Sequence, residues 1–220
     1  MEPLRAVLFD VGDTLFHRRS GHLGVVEAAA ALGADVDPAT AERLWNDLHA
    51  RASTPEELAK GRDLSAEAHR AGWTALYGPL AALAPGLPEA MYEREIDAAF
   101  WEPFPDTIPT LRALHRRGIR IGVVSDAGFD VRSFFVRHGV ADLVSSFVLS
   151  FEHGAAKPAA KLFDLACQEL EVEPAEALMV GDNPLTDGGA VQAGLTCLLL
   201  PPARPGEPRG FARVLAVAAG

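Results

Sequence analysis

The spacing of apolar residues changes twice along the chain. A short apolar run at residues 6–9 ends abruptly at Asp10 and is followed by Gly12, which predicts a buried strand of a parallel sheet over residues 4–9. From residue 23 to about residue 101, apolar positions recur at helical spacing. After the proline-containing residues 102–105, short apolar runs alternate with helical segments. The chain therefore contains two structurally different parts.

The second part indicates repeated strand–helix units. Alternation of this kind predicts a parallel sheet, and the strand at residues 4–9 belongs to the same sheet, so we assign the chain to the α/β class. The predicted strands cover residues 119–124, 147–149, 178–180 and 196–200, and the predicted helices cover residues 106–117, 129–138, 158–170 and 187–193, with a final short apolar element at residues 211–217.

The helical stretch lies between the first two strands of this sheet. A crossover between parallel strands needs only about a dozen residues, whereas Ser125, at the end of the second strand, follows Asp10 by 115 positions. The surplus predicts an inserted helical lobe at residues 16–104 and a core formed by residues 1–15 and 105–220. We expect a loop at residues 15–22 and hinges there and at residues 102–105.

Composition and charge restrict the partners of the protein. The 220 residues are 49% hydrophobic with a net charge of −10 and no basic stripe, so we expect neither nucleic acid nor an anionic membrane surface as a partner. Cys167 and Cys197 stand alone in apolar settings, as reduced thiols do. No signal peptide and no apolar run of about 18 residues is found, so we expect a cytoplasmic protein.

Reactive side chains follow several of the predicted strands. Ligands of open parallel sheets bind beyond the carboxyl ends of the strands, where Asp10, Ser125, Lys157, Asp182 and Asp187 are expected. Clustered carboxylates favour a hard divalent cation such as Mg²⁺, which commonly binds together with a substrate phosphate. A hydroxyl and an ammonium beside the metal suit a phosphate dianion, and a free carboxylate can act as the nucleophile.

Four segments in this order resemble the haloacid dehalogenase-like hydrolase superfamily, whose members are mostly Mg²⁺-dependent phosphatases. The resemblance covers essentially the whole chain and implies a Rossmann-like core with strand order 5-4-1-2-3 and an all-helical cap inserted between the first two motifs. The segments that carry it are Phe9-Asp10-x-x-x-Thr14-Leu15, Val123-Val124-Ser125-Asp126, Gly154 with Lys157-Pro158, and Gly181-Asp182-Asn183 continuing through Asp187 to Gly194.

The resemblance also implies a metal site. Asp10 would attack phosphorus and form a phospho-aspartyl intermediate. Asp10 and Asp182 would bind Mg²⁺ together with the backbone carbonyl of Gly12, and Asp187 would complete and support this metal cluster. The expected substrate is a small phosphorylated metabolite.

Phosphoryl oxygens would be held by three further residues. By the same resemblance, Ser125 and the adjacent backbone amide of Asp126 would bind a phosphoryl oxygen. Lys157 would balance the charge on the nucleophile and on the phosphoryl group. These roles agree with phosphoryl transfer, in which positioning and charge stabilisation provide most of the catalysis.

One position departs from the family pattern. The usual phosphatase carries a second Asp two residues after the nucleophile as general acid and base, and here that position is Gly12. We expect the next residue, Asp13, to point away from the site. The neighbouring loop carries basic groups that could face an anion, so we expect His17 to contact the substrate, and His17, His22 or a residue of the cap to replace the missing acid.

Three alternatives remain open on this evidence. A phosphonate hydrolase would need a cap lysine, and Lys60 is the only lysine before Lys157. A 2-haloacid dehalogenase also lacks the second acid, but that branch has no Mg²⁺ site and carries an aromatic residue at the position of Gly12. A catalytically weak member would act as a binding or regulatory module.

Overall fold

The computed structural model describes residues 3–19 and 21–218 and has a five-stranded parallel sheet at its centre. Seven strands are present, and all but β2 and β3 belong to this sheet, in the order β5-β4-β1-β6-β7. When only the five strands of this sheet are numbered along the chain and the order is read from β7, it is the predicted order 5-4-1-2-3. The strands are β1 (Ala6–Phe9), β2 (Phe16–Arg18), β3 (Trp101–Pro103), β4 (Arg120–Ser125), β5 (Ser146–Leu149), β6 (Ala177–Gly181) and β7 (Thr196–Leu199).

Both faces of the sheet are covered, as a parallel sheet requires. Side chains alternate between the faces of a strand, so Val7 and Phe9 pack into one apolar cluster while Ala6 and Leu8 pack into another. The helices of this part are α6 (Thr107–Arg116), α7 (Arg132–Arg137), α8 (Ser150–His153), α9 (Ala160–Glu169) and α10 (Ala212–Val217). The predicted helix at residues 187–193 is a 3-10 turn, Asp187–Val191.

The segment between β2 and β3, residues 21–100, is helical, and we call it the cap. Asp37, Thr54 and Ser65 each accept a hydrogen bond from a backbone amide of the first turn, so each is the N-cap of the helix that follows it. The cap has an apolar cluster of its own, which includes Trp73 and Tyr77. Its helices are α1 (Leu23–Ala31), α2 (Pro38–Ala52), α3 (Pro55–Leu58), α4 (Ala66–Tyr77) and α5 (Leu87–Ile96).

A short antiparallel ribbon, β2 with β3, joins the cap to the core. It corrects the prediction of a loop at residues 15–22 and of a helix that continues to residue 101. Phe16 is fully buried against Phe134 and Phe135, which fixes β2 in an extended conformation. Three residues are too few for a period of two to be recognised in the sequence, so this pairing was not predicted.

The cap also touches the core close to the end of β4. The Ser150 hydroxyl of α8 donates a hydrogen bond to the backbone carbonyl of Asp63 in the cap, and it accepts one from the Ala127 amide. Gly128 lies against His69 of α4, with no room for a side chain between them. In the described parts of the chain, no helix has the length and apolar character needed to cross a bilayer.

The close approach of Gly128 to His69 gives a first prediction. In Gly128→Ala the new Cβ would lie 2.1 Å from the Cβ of His69, and relief of such overpacking costs about 1–3 kcal/mol. We expect a melting temperature lower by about 2–4 °C per kcal/mol for a chain of this size. The matched control is Gly78→Ala, at a helical position with open space around it. Equal melting temperatures for the two variants would contradict this packing.

Candidate active site

A cavity of about 220 Å³ lies where the carboxyl ends of β1, β4 and β6 meet, beneath the cap. Asp10 directly follows β1, Ser125 is the last residue of β4, and Asp182 directly follows β6. Lys157 reaches the same cavity from the loop between α8 and α9. The parallel sheet thus brings together residues that are far apart in the sequence, as its topology requires.

The Lys157 ammonium bridges two carboxylates at the centre of the site. Its Nζ donates to Oδ1 of Asp10 at 2.7 Å and to Oδ1 of Asp187 at 2.6 Å, and its side chain is only 2% exposed. Burial alone would lower the pKa of Lys157, but Asp10, Asp187 and Asp126 outweigh burial and raise it well above its ordinary value. Lys157 therefore stays charged, as its predicted role requires.

Asp126 acts on the same lysine through the backbone. Its Oδ1 accepts a hydrogen bond from the Lys157 amide at 2.9 Å, so the side chain positions the loop that carries the ammonium. Burial raises the pKa of Asp126, and Lys157 opposes this shift. Ser125, which is buried, lines the cavity beside it. The backbone amide predicted to hold a phosphoryl oxygen belongs to this turn.

Asp187 is fully engaged by hydrogen bonds. Its Oδ2 accepts from the backbone amides of Asp182 and Asn183, each at 3.0 Å, while its Oδ1 accepts from Lys157. The Cβ of an alanine at position 181 would lie 2.1 Å from Oδ2 of Asp187, so Gly181 leaves the space that this carboxylate occupies. Both oxygens are used within the protein, which suits a supporting position beside a metal ion.

The acidic cluster fits a divalent cation. One carboxylate oxygen from each of Asp10, Asp182 and Asp187 lies within 4.8 Å of the others. Burial raises the pKa of Asp10, with further increases from Asp187 and Asp182, and it raises the pKa of Asp182 to about 6. Three carboxylates facing one ammonium leave an excess of buried negative charge. An all-oxygen donor set with this excess is what Mg²⁺ prefers.

The turn after Asp10 differs from the prediction. Gly12 and Asp13 both line the cavity, so the expectation that Asp13 points away was wrong. Asp13 adopts φ of +55°, and its Oδ2 lies 3.9 Å from Nη1 of Arg18. With this left-handed backbone conformation, the Asp13 carboxylate lies beside Arg18, which lines the same cavity. The Gly12 carbonyl stays the predicted third metal ligand.

His17 does not line the cavity, which corrects its predicted contact with the substrate. Its ring is buried and packs edge-on against Phe104, 4.8 Å between centroids, with Nδ1 3.1 Å from the carbonyl oxygen of Arg18. His22 is likewise absent from the cavity lining. Side chains alternate along β2, so the neighbour of His17, Arg18, reaches the cavity instead.

A buried ion pair that the sequence did not indicate holds Arg18 in place. Its Nε donates to Oε2 of Glu95 at 2.8 Å, and the Tyr77 hydroxyl donates to the same oxygen at 3.1 Å. Burial would raise the pKa of Glu95, but Arg18 outweighs burial and lowers it. Arg18 also lies over the Trp101 ring, 4.5 Å from its centroid. The one sequence signal for this ion pair is Glu95 itself, a charged residue within the apolar stripe of a helix.

The cap wall of the cavity carries a second set of titratable groups. Burial raises the pKa of Asp63 to about 7, although Arg62 opposes the shift. Burial lowers the pKa of His69 to about 4 and that of His49 to about 3, so both imidazoles are neutral at pH 7. Among the described residues, the indole Nε1 of Trp73 and Nε2 of His49 are buried without a hydrogen-bond partner. These groups face the space that a substrate would occupy.

Comparison with known proteins gives one family. A family model described as haloacid dehalogenase-like hydrolase matches residues 4–194. The chain is 31% identical over 205 residues to the glyceraldehyde 3-phosphate phosphatase of Methanopyrus kandleri, covering 87% of this chain and 82% of the relative. It is 27% identical over 216 residues to the ribulose-1,5-bisphosphate 5-phosphatase of Halopiger xanaduensis, covering 92% and 87%.

A solved structure gives the same fold. The crystal structure of a phosphatase from Thermococcus onnurineus aligns with a TM-score of 0.61 at 22% identity, over 97% of this chain and 98% of the other. At this identity the similarity supports the shared architecture of sheet and cap, and it leaves the chemistry to be argued from the residues of the cavity.

The hydrogen bonds of Asp187 give a second prediction. Asp187→Asn removes one of the two carboxylates that pair with the buried Lys157 ammonium, and breaking a buried pair costs about 3–5 kcal/mol. We expect this loss in the free energy of unfolding, measured with urea in the presence of a chelator. The control is Glu93→Gln, which removes the exposed Arg70–Glu93 pair and costs less than about 1 kcal/mol. Similar losses in the two variants would count against a structural role for Asp187.

Proposed function

Because the chain belongs to the haloacid dehalogenase-like hydrolase family, we propose that it is a Mg²⁺-dependent phosphatase of a small phosphorylated metabolite that uses Asp10 as its nucleophile. The single observation that carries the proposal is the arrangement around Asp10. Its carboxylate accepts a hydrogen bond from the buried Lys157 ammonium, and one of its oxygens lies within 4.8 Å of a carboxylate oxygen from each of Asp182 and Asp187. This arrangement suits a carboxylate that attacks a phosphoryl group held by cations.

Asp10 carries the covalent chemistry in this proposal. An oxygen of its carboxylate attacks phosphorus, and the bond between phosphorus and the leaving oxygen breaks while that oxygen takes up a proton. Water then attacks the phosphorus of the phospho-aspartyl group, which releases phosphate and restores Asp10. Lys157 keeps the nucleophile oriented, because its ammonium holds Oδ1 of Asp10 through a 2.7 Å hydrogen bond.

The remaining groups bind and orient. Asp10, Asp182 and the carbonyl of Gly12 would hold Mg²⁺, and Asp187 would support them through the amides of Asp182 and Asn183. When bound, the metal supplies positive charge that offsets the carboxylates and the phosphoryl oxygens. Ser125, at the end of β4, and the amide of Asp126 would donate to a phosphoryl oxygen.

The dimensions of the cavity favour a small substrate. A volume of about 220 Å³ lies below the range of about 300–1,000 Å³ that is common for drug-sized ligands. The relatives named above are phosphatases of glyceraldehyde 3-phosphate and of ribulose 1,5-bisphosphate. We extend this to a phosphorylated sugar of few carbons. Arg18 and Trp73, which line the cap side of the cavity, would contact its non-phosphorylated end.

The other activities fit these residues less well. The only lysine before Lys157, Lys60, is 57% exposed, pairs with Glu57 at 2.6 Å and does not line the cavity, which argues against a Schiff base of the phosphonate hydrolase type. A metal-free dehalogenase has no use for the acidic cluster of Asp10, Asp182 and Asp187. A binding or regulatory module would need no nucleophile, and the next experiment distinguishes it from an enzyme.

Replacement of Asp10 tests the proposed nucleophile. With Mg²⁺ present, we expect phosphate release from a panel of small phosphosugars by the wild-type protein, and a loss of at least about 10³-fold in Asp10→Asn, since little remains once a nucleophile is removed. The exposed cap carboxylate of Asp47 supplies the control, Asp47→Asn. Turnover that survives in Asp10→Asn, or that is absent from the wild-type protein on the whole panel, would overturn the proposal.

Mg²⁺ binding is tested without turnover. A ligand that binds only the folded state raises the melting temperature, so millimolar Mg²⁺ should stabilise the wild-type protein. Asp182→Asn should lose most of this increase, because it removes one of the proposed ligands. Asp47→Asn should retain it. If Mg²⁺ raised the melting temperature of Asp182→Asn as much as that of the wild-type protein, the metal would bind elsewhere.

A further inference from the structure

The proposed function leaves one chemical role unfilled. The leaving oxygen needs a proton and the attacking water must lose one, yet the position that carries this acid in related phosphatases is Gly12. We infer that Asp63, which the cap places over the cavity, protonates the leaving group and then activates the water. This inference rests on the proposed phosphatase activity and assigns a catalytic residue to it.

The first support for this inference is the position of Asp63. Asp63 belongs to the 3-10 turn Arg62–Leu64 and lines the same cavity as Asp10 and Lys157. The Ser150 hydroxyl donates to its backbone carbonyl, which fastens this turn to the core. The charges of Asp126 and Lys157 act on its carboxyl across the cavity. The cap thus delivers a carboxyl to the side of the cavity that faces the proposed phosphoryl site.

The Asp63 carboxyl is also free to exchange a proton. Among the described residues, none donates a hydrogen bond to it; its carboxylate oxygens lie 3.5 Å from Nε of Arg62 and 3.6 Å from Nε2 of His69. The groups that face it are Arg62 on its own turn, His69 and Glu95 on the cap helices, and Asp126 and Lys157 on the core. Burial raises its pKa to about 7, and a general acid works best with a pKa near the working pH.

The other titratable groups on the cap side are less suitable. Burial lowers the pKa of His49 to about 3 and of His69 to about 4, so neither carries a proton to donate at pH 7. Glu95 is held by Arg18 and Tyr77, and its pKa is lowered.

Asp13, on the core side, is 62% exposed and lies beside Arg18. Water therefore reaches its carboxylate, and a cation stands next to it. Asp63, in contrast, is largely buried, has a carboxyl that accepts no hydrogen bond from the described residues and lies on the cap side of the cavity.

The proton balance closes over the two steps. In the first step, Asp10 bonds to phosphorus, the bond from phosphorus to the leaving oxygen breaks, and the Asp63 proton goes to that oxygen. In the second step, water bonds to phosphorus, the bond from phosphorus to Asp10 breaks, and a water proton returns to Asp63. The cycle needs no other reactant.

The test compares two substrates in Asp63→Asn, with Asp47→Asn as the control. For an alkyl phosphate, whose leaving oxygen must be protonated, we expect kcat to fall by about 10²–10⁴-fold. For 4-nitrophenyl phosphate, whose leaving group departs as an anion, we expect a burst of 4-nitrophenolate at nearly the wild-type rate, followed by slow turnover. Intact-protein mass spectrometry should then show phosphorylated protein accumulating.

The pH dependence supplies an independent readout. Wild-type kcat/KM for the alkyl phosphate should fall as pH rises through about 7, because Asp63 loses its proton there, and this limb should be absent in Asp63→Asn. The folded protein also holds this proton between about pH 4 and pH 7, where an unfolded Asp has lost it. The free energy of unfolding of the wild-type protein should therefore decrease as pH rises from about 4 to about 7, and more steeply than that of Asp63→Asn. Asp63→Glu, which keeps an acid, should recover part of kcat and the pH limb.

Several results would overturn the assignment. If Asp63→Asn kept the wild-type kcat on the alkyl phosphate, Asp63 would be excluded. An equal loss of the first-turnover rate on both substrates would also exclude it, because that is the sign of a merely structural role. Should Asp63→Asn fail to fold by circular dichroism, a wild-type pH profile without a limb near 7 would overturn it. In each case a loss of turnover in Asp10→Asn leaves the proposed function intact, whereas active Asp10→Asn contradicts the proposed function itself.

Discussion

The Lys157 ammonium between Asp10 and Asp187 is the interaction on which the rest of the site depends. Without it, the carboxylates of Asp10, Asp182 and Asp187 would repel one another at the edge of a sheet that packs between two apolar clusters. Its own placement depends on Asp126, which holds the lysine amide, and on Gly181, which leaves room for Asp187. Residues from all four sequence motifs therefore form one connected network, and changes in any of these residues are expected to reach the nucleophile.

Much of this arrangement could be predicted because it follows from topology. Asp10, Ser125 and Asp182 each end or follow a strand of a parallel sheet, and the carboxyl ends of neighbouring strands meet at one edge whatever the side chains do. The strand order was implied by the family resemblance, whereas helix starts such as those at Asp37 and Ser65 depend on local residue type.

The rest depends on contacts between distant segments, which a single sequence does not display. The β2–β3 ribbon forms because Phe16 is buried against α7, and only the ribbon shows that Arg18 and not His17 reaches the cavity. Asp13 turns inward through a positive φ that is uncommon for a residue other than glycine. Asp63 lies far along the chain in a polar turn of the cap, and only the folded molecule brings it to the cavity that Asp10 also lines.

The pairing of β2 with β3 has a consequence for how the protein operates over time. Two separate linkers would allow the cap to move in many directions relative to the core. Two hydrogen-bonded strands would have to bend together, so a displacement of the cap would be restricted mainly to one hinge-like rotation. Arg18 lies on that ribbon and Asp63, the proposed proton donor, lies on the cap, so a displacement of the cap would move both away from Asp10 together. Such a displacement would leave the nucleophile in place but break the hydrogen bond between Ser150 and the Asp63 carbonyl.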